Sequence, residues 1–240
     1  MKYSVGIIGN GYVGSSIASG FSLHTDMRVY DVDPRRSTHT LEEVLENSEY
    51  IFVCVPTPMD LSTGKLDASY LYTVFNTVRS HRRRPEQIYI IKSTTTPGTV
   101  EKIADTYEEL DIAFSPEFLT ERSAYLDFIN ASRIIIGAKS NSADRVEKLF
   151  RTRFPHTKII KTDVTTAQFI KYMANCFFSV KVSFMNEMKQ GAETLHVDWD
   201  AAMNGFVSDG RIGNSHLDVP GHDGMSGFGG KCFPKDLNAF

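Results

Sequence analysis

The chain has 240 residues, of which 26 are basic and 29 acidic, with a net charge of −3 and 41% apolar residues. This charge balance gives no indication of binding to nucleic acid or to an anionic membrane, and no apolar run approaches the roughly 20 residues that span a bilayer. The length accommodates a nucleotide-binding domain of roughly 150 residues and an extension. The N-terminus also lacks the three regions of a signal peptide, so we expect a cytoplasmic protein.

Short apolar runs alternate with helical stretches through the first part of the chain. Seven runs are candidate strands: SVGII, RVYDV, YIFVCV, IYIIKS, DIAFS, RIIIGA and TKIIKT. Most are continuously apolar and rich in valine and isoleucine, as in strands buried on both faces of a sheet. Their alternation with helices predicts an α/β fold, with a Rossmann-like, doubly wound, mostly parallel sheet. We assign residues 1–163 to this Rossmann-like domain.

A different pattern begins after Thr162. Residues 165–195 contain no proline and one glycine, and their apolar side chains cover most of a helix circumference. Such a helix must be buried within the chain or against another subunit, and Asp163 or Thr165 is suited to cap its start. Because a twofold dimer is the commonest way to cover such a surface, we predict a homodimer through helix 165–195. Residues 164–240 are predicted to form a partial helical central domain that carries a glycine-rich loop.

The three cysteines are too few and too scattered for a disulfide framework or a zinc site, and we expect no metal. Cys54 and Cys176 lie in apolar segments and are predicted to be core residues. Cys232, within SGFGGKCFPKD, has glycines and polar residues around it, with Lys231 and Lys235 close in sequence. Neighbouring cations lower the pKa of a thiol and increase its reactivity. Cys232 is therefore the candidate reactive cysteine.

A glycine turn follows the first candidate strand. Gly9, Gly11 and Gly14 lie in GNGYVG, which opens a helix, and Asp31 stands at the end of the second candidate strand. The glycines permit a tight turn and close approach of a pyrophosphate to the helix N-terminus. A carboxylate at the position of Asp31 accepts hydrogen bonds from a ribose 2′-hydroxyl and repels a 2′-phosphate. The turn, which includes Tyr12 and Val13, therefore predicts a site for NAD rather than NADP.

Further motifs follow along the chain: VPTP at 55–58, KSTTTPGT at 92–99, SPEFLTE at 115–121, KYMAN at 171–175 and GFGGKCFPKD at 227–236. With GNGYVG, their identity and order resemble the UDP-glucose 6-dehydrogenase family, within the UDP-glucose/GDP-mannose dehydrogenases, over the whole chain. The resemblance implies an NAD-dependent oxidoreductase that converts a sugar nucleotide to its acid by two hydride transfers. UDP-glucose, oxidised to UDP-glucuronate for polysaccharide biosynthesis, is the expected substrate, and GDP-mannose and UDP-N-acetyl sugars are the alternatives.

Such an oxidation needs a nucleophile, because an aldehyde cannot give up a second hydride until a nucleophile has added to it. A thiolate forms a thiohemiacetal, whose oxidation yields a thioester that water cleaves, and the resemblance assigns this role to Cys232. Lys171 and Asn175 share one helix face by their spacing. A cation and an amide there are suited to stabilise an oxyanion, although the spacing alone also fits a polar edge on an apolar helix. The resemblance implies that they are the catalytic lysine and asparagine.

The resemblance extends to residues that follow strands. Glu117 follows a candidate strand, at the edge of the sheet where ligands bind, and matches the glutamate that activates water for thioester hydrolysis. Thr94 and Asp236 match a pair that holds a catalytic water. Thr57 and Glu121 are assigned to the cofactor. The positions matched to substrate contacts are Phe118, Leu119, Phe228, Gly229 and Gly230.

Two departures from the family pattern concern local structure. The proline of KSTTTPGT stands one place later than in the family's KSTVPxGT, and Thr120 occupies a position where the family often has arginine or alanine. The family's chains also continue into a second Rossmann-like domain, which we expect to be absent here.

Two other functions stay open. A β-hydroxyacid dehydrogenase shares the first domain, the long helix and its lysine–asparagine pair, but it removes a single hydride and needs no cysteine. Cys232 therefore favours the sugar-nucleotide class. The second alternative is a nucleotide-binding module that is inactive because the last domain is missing.

Overall fold

The computed structural model describes residues 2–60, 63–230 and 232–240. Each predicted apolar run overlaps a strand of one sheet. The strands are β1 Ser4–Ile8, β2 Asp26–Tyr30, β3 Tyr50–Val53, β4 Ile88–Ile91, β5 Asp111–Phe114, β6 Arg133–Gly137 and β7 Lys158–Thr162.

The seven strands form one sheet in the order β2-β1-β3-β4-β5-β6-β7. Strands β1 to β5 run parallel to one another, whereas β6 runs antiparallel to β5 and β7 runs parallel to β6. The predicted Rossmann-like, mostly parallel sheet is therefore confirmed. Because β1 to β5 are parallel, the segments that follow them all start from one edge of the sheet, where ligands of such folds bind.

Helices on both faces bury the central strands. Every residue of β3 and β4 is buried, and alternate side chains enter two separate hydrophobic clusters: Phe52 lies in one with Phe21, and Ile51 lies in the other with Phe75. The covering helices are α1 Tyr12–Phe21, α2 Leu41–Asn47, α3 Ser69–Ser80, α4 Thr99–Thr106, α5 Ala124–Ile129 and α6 Ser140–Arg151, with short 3₁₀ turns at Pro34–Arg36 and Glu121–Ser123. Continuous apolar strands are thus explained by burial on both faces.

The predicted long helix is α7, Val164–Thr194, and α8 Trp199–Val207 and α9 Phe233–Ala239 follow it. Asp163 caps α7, because its carboxylate accepts the Thr166 N–H at 2.8 Å and the Thr166 hydroxyl at 2.6 Å. The chain divides into two compact units, Met1–Lys171 and Tyr172–Phe240, which are described separately below. The domain boundary at residues 163/164 stays a prediction.

The burial of α7 differs from the expectation for a helix covered by the chain itself. Its buried positions include the polar residues Gln168, Lys171, Asn175 and Ser179. Five large apolar side chains on the same helix are instead exposed by 49–63%: Met173, Phe177, Val180, Phe184 and Met188. We call these five residues the apolar row, because their spacing of three or four residues places them on one side of the helix. The rest of the second unit therefore leaves this row uncovered.

No helix in the part of the chain that the structure describes has both the length and the apolar character needed to cross a membrane.

Phe21 offers a test of the core. Its side chain is fully buried, and its ring centroid lies 5.8–6.1 Å from those of Phe52, Phe128, Phe150 and Phe154. We expect Phe21→Ala to lower the free energy of unfolding by about 3–5 kcal/mol through lost burial and a cavity. Leu23, which is 81% exposed, provides the control. Leu23→Ala should change the free energy of unfolding by no more than about 0.5 kcal/mol. Urea unfolding measures both; equal losses would contradict this account of the core.

Candidate active site

The glycine turn has the geometry of a phosphate-binding turn. Gly9 has a φ of +96°, and a Cβ there would lie 2.7 Å from the carbonyl oxygen of Cys54. A Cβ on Gly14 would lie 2.0 Å from the carbonyl oxygen of Gly9, so α1 packs directly on the turn. At Gly11 no atom lies within 4 Å of the Cβ position, and no side chain caps the N-terminus of α1. The open approach to this helix end fits a pyrophosphate.

Asp31 joins the turn to the end of β2. Its carboxylate accepts the backbone N–H of Asn10 at 2.6 Å and that of Asp33 at 2.9 Å. An ionised carboxylate has further acceptor sites, which fit the hydroxyls of a ribose. Tyr12 and Glu121 line one cavity of about 300 Å³ beside α1, and Val13 lies half-buried in the first turn of α1. Tyr12 and Glu121 thus lie together beside α1, Asp31 is bound to the turn through Asn10, and this arrangement fits NAD.

The loops after β3 and β4 bind each other. The Thr57 hydroxyl donates to the carbonyl oxygen of Thr94 at 2.7 Å, and the Ser93 hydroxyl donates to that of Val55 at 2.6 Å. Thr57 and Thr94 thus lie side by side, next to the edge that carries the glycine turn.

Gln168 is a positioning residue that sequence reasoning missed. Its side chain is fully buried, and its amide nitrogen donates to the Thr95 hydroxyl and to the Thr96 carbonyl oxygen, each at 2.8 Å. These bonds tie the turn after Thr94 to α7. The available signal was a glutamine three residues before Lys171 in a helix that is otherwise mostly apolar.

Lys171 and Glu117 form a buried ion pair at the end of β5. The Lys171 ammonium donates to Glu117 Oε1 at 2.8 Å and to the Glu117 carbonyl oxygen at 2.7 Å. The other carboxylate oxygen, Oε2, accepts the backbone N–H of Leu119 at 2.6 Å. The two side chains are only 4% and 5% exposed. Phe118 closes one side of the pair, with its ring centroid 5.5 Å from Lys171 Nζ.

The pair sets the protonation of Glu117. Burial raises the pKa of Glu117, but the charge and hydrogen bond of Lys171, the Leu119 N–H and the charge of Lys92 together outweigh burial and lower that pKa below its usual range. A carboxylate with a low pKa is a weak general base. The roles expected separately for Lys171 and Glu117 are therefore coupled, because Glu117 gains basicity only when Lys171 gives up its bonds.

Lys92 is a second buried cation that sequence reasoning missed. It follows β4, and its ammonium donates to the Pro116 carbonyl oxygen at 3.0 Å and the Ser115 hydroxyl at 3.3 Å. Burial lowers the pKa of Lys92 to about 8. The signal in the sequence was a lysine directly after an apolar strand, in KSTTTPGT.

The second unit contains a polar group of its own. The Asn175 amide donates to Asp236 Oδ2 at 2.5 Å, and the Lys235 ammonium contacts Asp236 Oδ1 at 2.5 Å. Asp236 is 1% exposed. Cys232 is half-buried, directly precedes α9 and is not in a disulfide. Of the two lysines close to this thiol in sequence, Lys235 is paired with Asp236 and Lys231 lies outside the described residues.

The glycine-rich loop before Cys232 is anchored on α7 by the Gly227 N–H, which donates to Asn186 Oδ1 at 2.8 Å. Gly229 and Gly230 have no atom within 4 Å of their Cβ positions, so a ligand can approach their backbone closely, and Phe228 is half-buried beside them.

The other two cysteines are poor nucleophiles. Burial raises the pKa of Cys54 to about 12, and its side chain packs against the core as predicted. Burial, and then the charge of Asp236, raise the pKa of Cys176. Among residues 2–60, 63–230 and 232–240, no group of three or more His, Cys, Asp or Glu side chains is arranged to hold a metal.

Comparison with known proteins identifies two family domains. Residues 35–154 match the model of the UDP-glucose/GDP-mannose dehydrogenase family, NAD binding domain, and residues 165–240 match the central domain of the same family. The first match begins after the glycine turn, so the turn at residues 9–14 is supported by its own geometry.

Individual relatives point to the same family. The chain is 34% identical to a UDP-glucose 6-dehydrogenase of Rickettsia bellii over 84% of this chain and 46% of the relative. The chain thus spans about half the length of the curated relatives it matches. The structure is similar to that of a UDP-glucose dehydrogenase from Pyrobaculum islandicum, with a TM-score of 0.81 and 28% identity over 100% of this chain and 63% of that one. It is also similar to the structure of a UDP-D-ManNAc dehydrogenase from Pyrococcus horikoshii. That comparison has a TM-score of 0.80 and 26% identity, and it covers 98% of this chain and 63% of the other.

Substitutions at two glycines of the turn distinguish an effect on folding from an effect on cofactor binding. Gly14→Ala should lower the free energy of unfolding by about 1–3 kcal/mol, because its Cβ overlaps the Gly9 carbonyl oxygen. At Gly11 the Cβ position is open and φ is an ordinary −75°. Gly11→Ala should therefore change the free energy of unfolding by no more than about 0.5 kcal/mol. It should nevertheless bind NAD more weakly, because the methyl group obstructs the pyrophosphate. Calorimetric titration with NAD and urea unfolding measure the two effects; undiminished NAD affinity in Gly11→Ala would contradict the site.

Proposed function

The chain belongs to the UDP-glucose/GDP-mannose dehydrogenase family, and from this premise we propose that it oxidises the primary alcohol of a sugar nucleotide to a carboxylate with NAD. The observation that carries the proposal is the buried Lys171–Glu117 pair, which places an ammonium and a carboxylate at the ligand-binding edge of an NAD-binding sheet. UDP-glucose is the first substrate to test, because the Rickettsia bellii relative is a UDP-glucose 6-dehydrogenase. UDP-N-acetylmannosamine is the second, because the Pyrococcus horikoshii structure is of a UDP-D-ManNAc dehydrogenase.

The first oxidation converts the alcohol to an aldehyde. NAD, when bound, accepts one hydride in each of the two oxidations. As the hydride leaves, the alcohol oxygen loses its proton, and a donor is needed to stabilise the negative charge that develops on it. We assign this stabilisation to the Lys171 ammonium and the Asn175 amide, whose other partners are Glu117 and Asp236.

The second oxidation needs the covalent step. The Cys232 thiolate adds to the aldehyde carbon, and loss of a hydride from this thiohemiacetal leaves a thioester. Water then adds to the thioester carbonyl, Glu117 takes its proton, and the carbon–sulfur bond breaks to release the acid and the thiolate. Thr94 and Asp236 are assigned to hold the catalytic water. The balance is one alcohol, two NAD⁺ and one water giving one carboxylate, two NADH and three protons.

The remaining assignments concern substrate contacts and location. Phe118 and Leu119, beside the ion pair, and Phe228, Gly229 and Gly230, in the glycine-rich loop, are proposed to contact the sugar nucleotide. We expect the protein to act in the cytoplasm and its product to supply polysaccharide biosynthesis.

A single oxidation of the β-hydroxyacid type remains the alternative, since it would also use Lys171 and Asn175. It would leave Cys232 without a function, and it predicts NAD reduction by 3-hydroxyisobutyrate rather than by a sugar nucleotide. An inactive nucleotide-binding module would bind NAD and reduce it with neither class of substrate. NAD reduction with UDP-glucose, UDP-N-acetylmannosamine, GDP-mannose and 3-hydroxyisobutyrate distinguishes the three functions.

The covalent step gives a prediction about Cys232. Cys232→Ala should retain NAD binding but form no carboxylate, because the aldehyde lacks its nucleophile. Glu117→Gln should accumulate a substrate-derived mass on the peptide that contains Cys232, because both hydride transfers precede hydrolysis. Cys176→Ala is the matched control and should form product normally. Mass spectrometry and NADH absorbance provide the measurements, and normal carboxylate formation by Cys232→Ala would rule out the mechanism.

We also propose that a second copy of the chain covers the apolar row of α7. Five exposed apolar side chains on one helix exceed what isolated surface residues explain, and a twofold interface pairs such a row with itself.

The dimer is tested by light scattering at micromolar concentration. The native chain should have the mass of a dimer, and Phe177→Asp with Phe184→Asp should give a monomer, because charges enter the apolar row. Gln190→Asp, an exposed position on the same helix outside the row, should leave the mass unchanged. A native chain that is monomeric would contradict the interface.

A further inference from the structure

Lys92 is a buried cation that no step of the proposed reaction uses. Its backbone continues the sheet ladder, with its N–H donating to the Val53 carbonyl oxygen at 2.9 Å, and the residue is 6% exposed. The ammonium donates to Pro116 O and Ser115 Oγ, at 3.0 and 3.3 Å. Both acceptors are neutral, and neutral acceptors compensate a buried charge poorly. A lysine in this position therefore indicates an anion close by.

That anion is Glu117. The carbonyl oxygens of Pro116 and Glu117 are consecutive along the chain, and they accept hydrogen bonds from Lys92 and Lys171 respectively. Two ammonium groups thus hold one turn, and both favour the charged form of its carboxylate. The other groups that face Lys92 are the Lys171 ammonium and the Cys54 thiol. The pKa of Cys54, about 12, leaves that thiol neutral near pH 7.

The two lysines differ in what the reaction demands of them. Under the proposed function, Lys171 turns its donors to the oxygen of the substrate and gives up part of its interaction with Glu117. Burial is the largest influence on the pKa of Glu117 and raises it, so a Glu117 left with no cation would take up a proton. A protonated carboxyl cannot accept a proton from water, and hydrolysis of the thioester would stop.

We propose that Lys92 is a positioning residue: it keeps Glu117 ionised, and holds the turn that carries it, while Lys171 is engaged by substrate. The engagement of Lys171 rests on the proposed function. The coupling between Lys92 and Glu117 rests only on contacts within the first unit and is measurable without any turnover.

The first experiment follows the carboxyl carbon of Glu117 by NMR in chains labelled with ¹³C at glutamate, the signal being assigned by its loss in Glu117→Gln. Lys171→Met removes the ammonium from Glu117 and so imitates a chain in which Lys171 is engaged by substrate. The pKa of Glu117 should rise in Lys92→Met, rise in Lys171→Met, and be highest when both lysines are replaced. Lys102→Met, which removes an exposed lysine on α4, should leave it unchanged. If Lys92→Met also leaves it unchanged, alone and in the Lys171→Met background, the proposal is overturned.

The second experiment uses the native chain, so its outcome does not depend on whether a variant folds. Because the pKa of Lys92 is lowered to about 8, the Glu117 carbon signal should show an inflection near pH 8 that coincides with titration of the Lys92 ¹⁵Nζ signal. A Glu117 signal that does not respond while Lys92 titrates would overturn the coupling. A role confined to packing would not produce this inflection.

The third experiment separates this inference from the proposed function. If the native chain oxidises a sugar nucleotide, Lys92→Met should accumulate the Cys232 thioester as Glu117→Gln does, with hydrolysis slowed by at least ~10-fold and NAD affinity unchanged. Normal hydrolysis in a folded Lys92→Met would overturn the positioning role. If no sugar nucleotide is oxidised, the proposed function fails, and the two NMR measurements still decide the coupling.

Discussion

The buried ion pair between Lys171 and Glu117 is the interaction on which the arrangement of the first unit depends. It binds α7 to the turn after β5 through both the carboxylate and the backbone carbonyl of Glu117. Removing one partner leaves an uncompensated buried charge, at a cost of about 3–5 kcal/mol. The pair also explains why α7 has polar residues at buried positions. Lys171 at Glu117 and Gln168 at Thr95 account for two of the polar residues that α7 buries.

Two groups of the same cluster, Glu117 and Lys92, make the free energy of unfolding depend on pH, one in the acid range and the other in the alkaline range. The pKa of Glu117 is lowered in the folded chain, so the stability it contributes is present above its unfolded pKa and is lost as pH falls through the folded value. Lys92 has its folded pKa lowered from 10.5 to about 8, so the unfolded chain keeps its proton over that interval and the free energy of unfolding rises with pH from about 8 to 10.5. Between these limits Glu117 is an anion and Lys92 a cation, as their coupling requires.

Much of the fold was predictable from the sequence, because burial on both faces leaves a continuous apolar run at every central strand, and because Gly9 and Gly14 occupy positions that a Cβ would overlap. The site was predictable as a set of residues but not as a set of contacts. Lys171 and Glu117 are 54 residues apart, and their pairing follows from how α7 meets the end of β5. Lys92 and Gln168 were missed for the same reason, since a lysine after an apolar strand and a glutamine on an apolar helix do not by themselves show which distant residues they contact. The sequence left two coverings open for α7, because composition gives a helix its apolar area without showing which side the chain buries.

The coupling between Lys171 and Glu117 also imposes an order on the proposed reaction. While both donors of Lys171 remain on Glu117, the carboxylate is a weak base, and water near it is not activated. When the substrate oxygen becomes negative, the ammonium has a competing acceptor, and Glu117 loses part of the interaction that lowers its pKa. Its basicity therefore increases only when negative charge develops on the substrate oxygen, as it does in both oxidations. Water attack is suppressed until the substrate carries this charge, because one buried lysine serves two acceptors in turn.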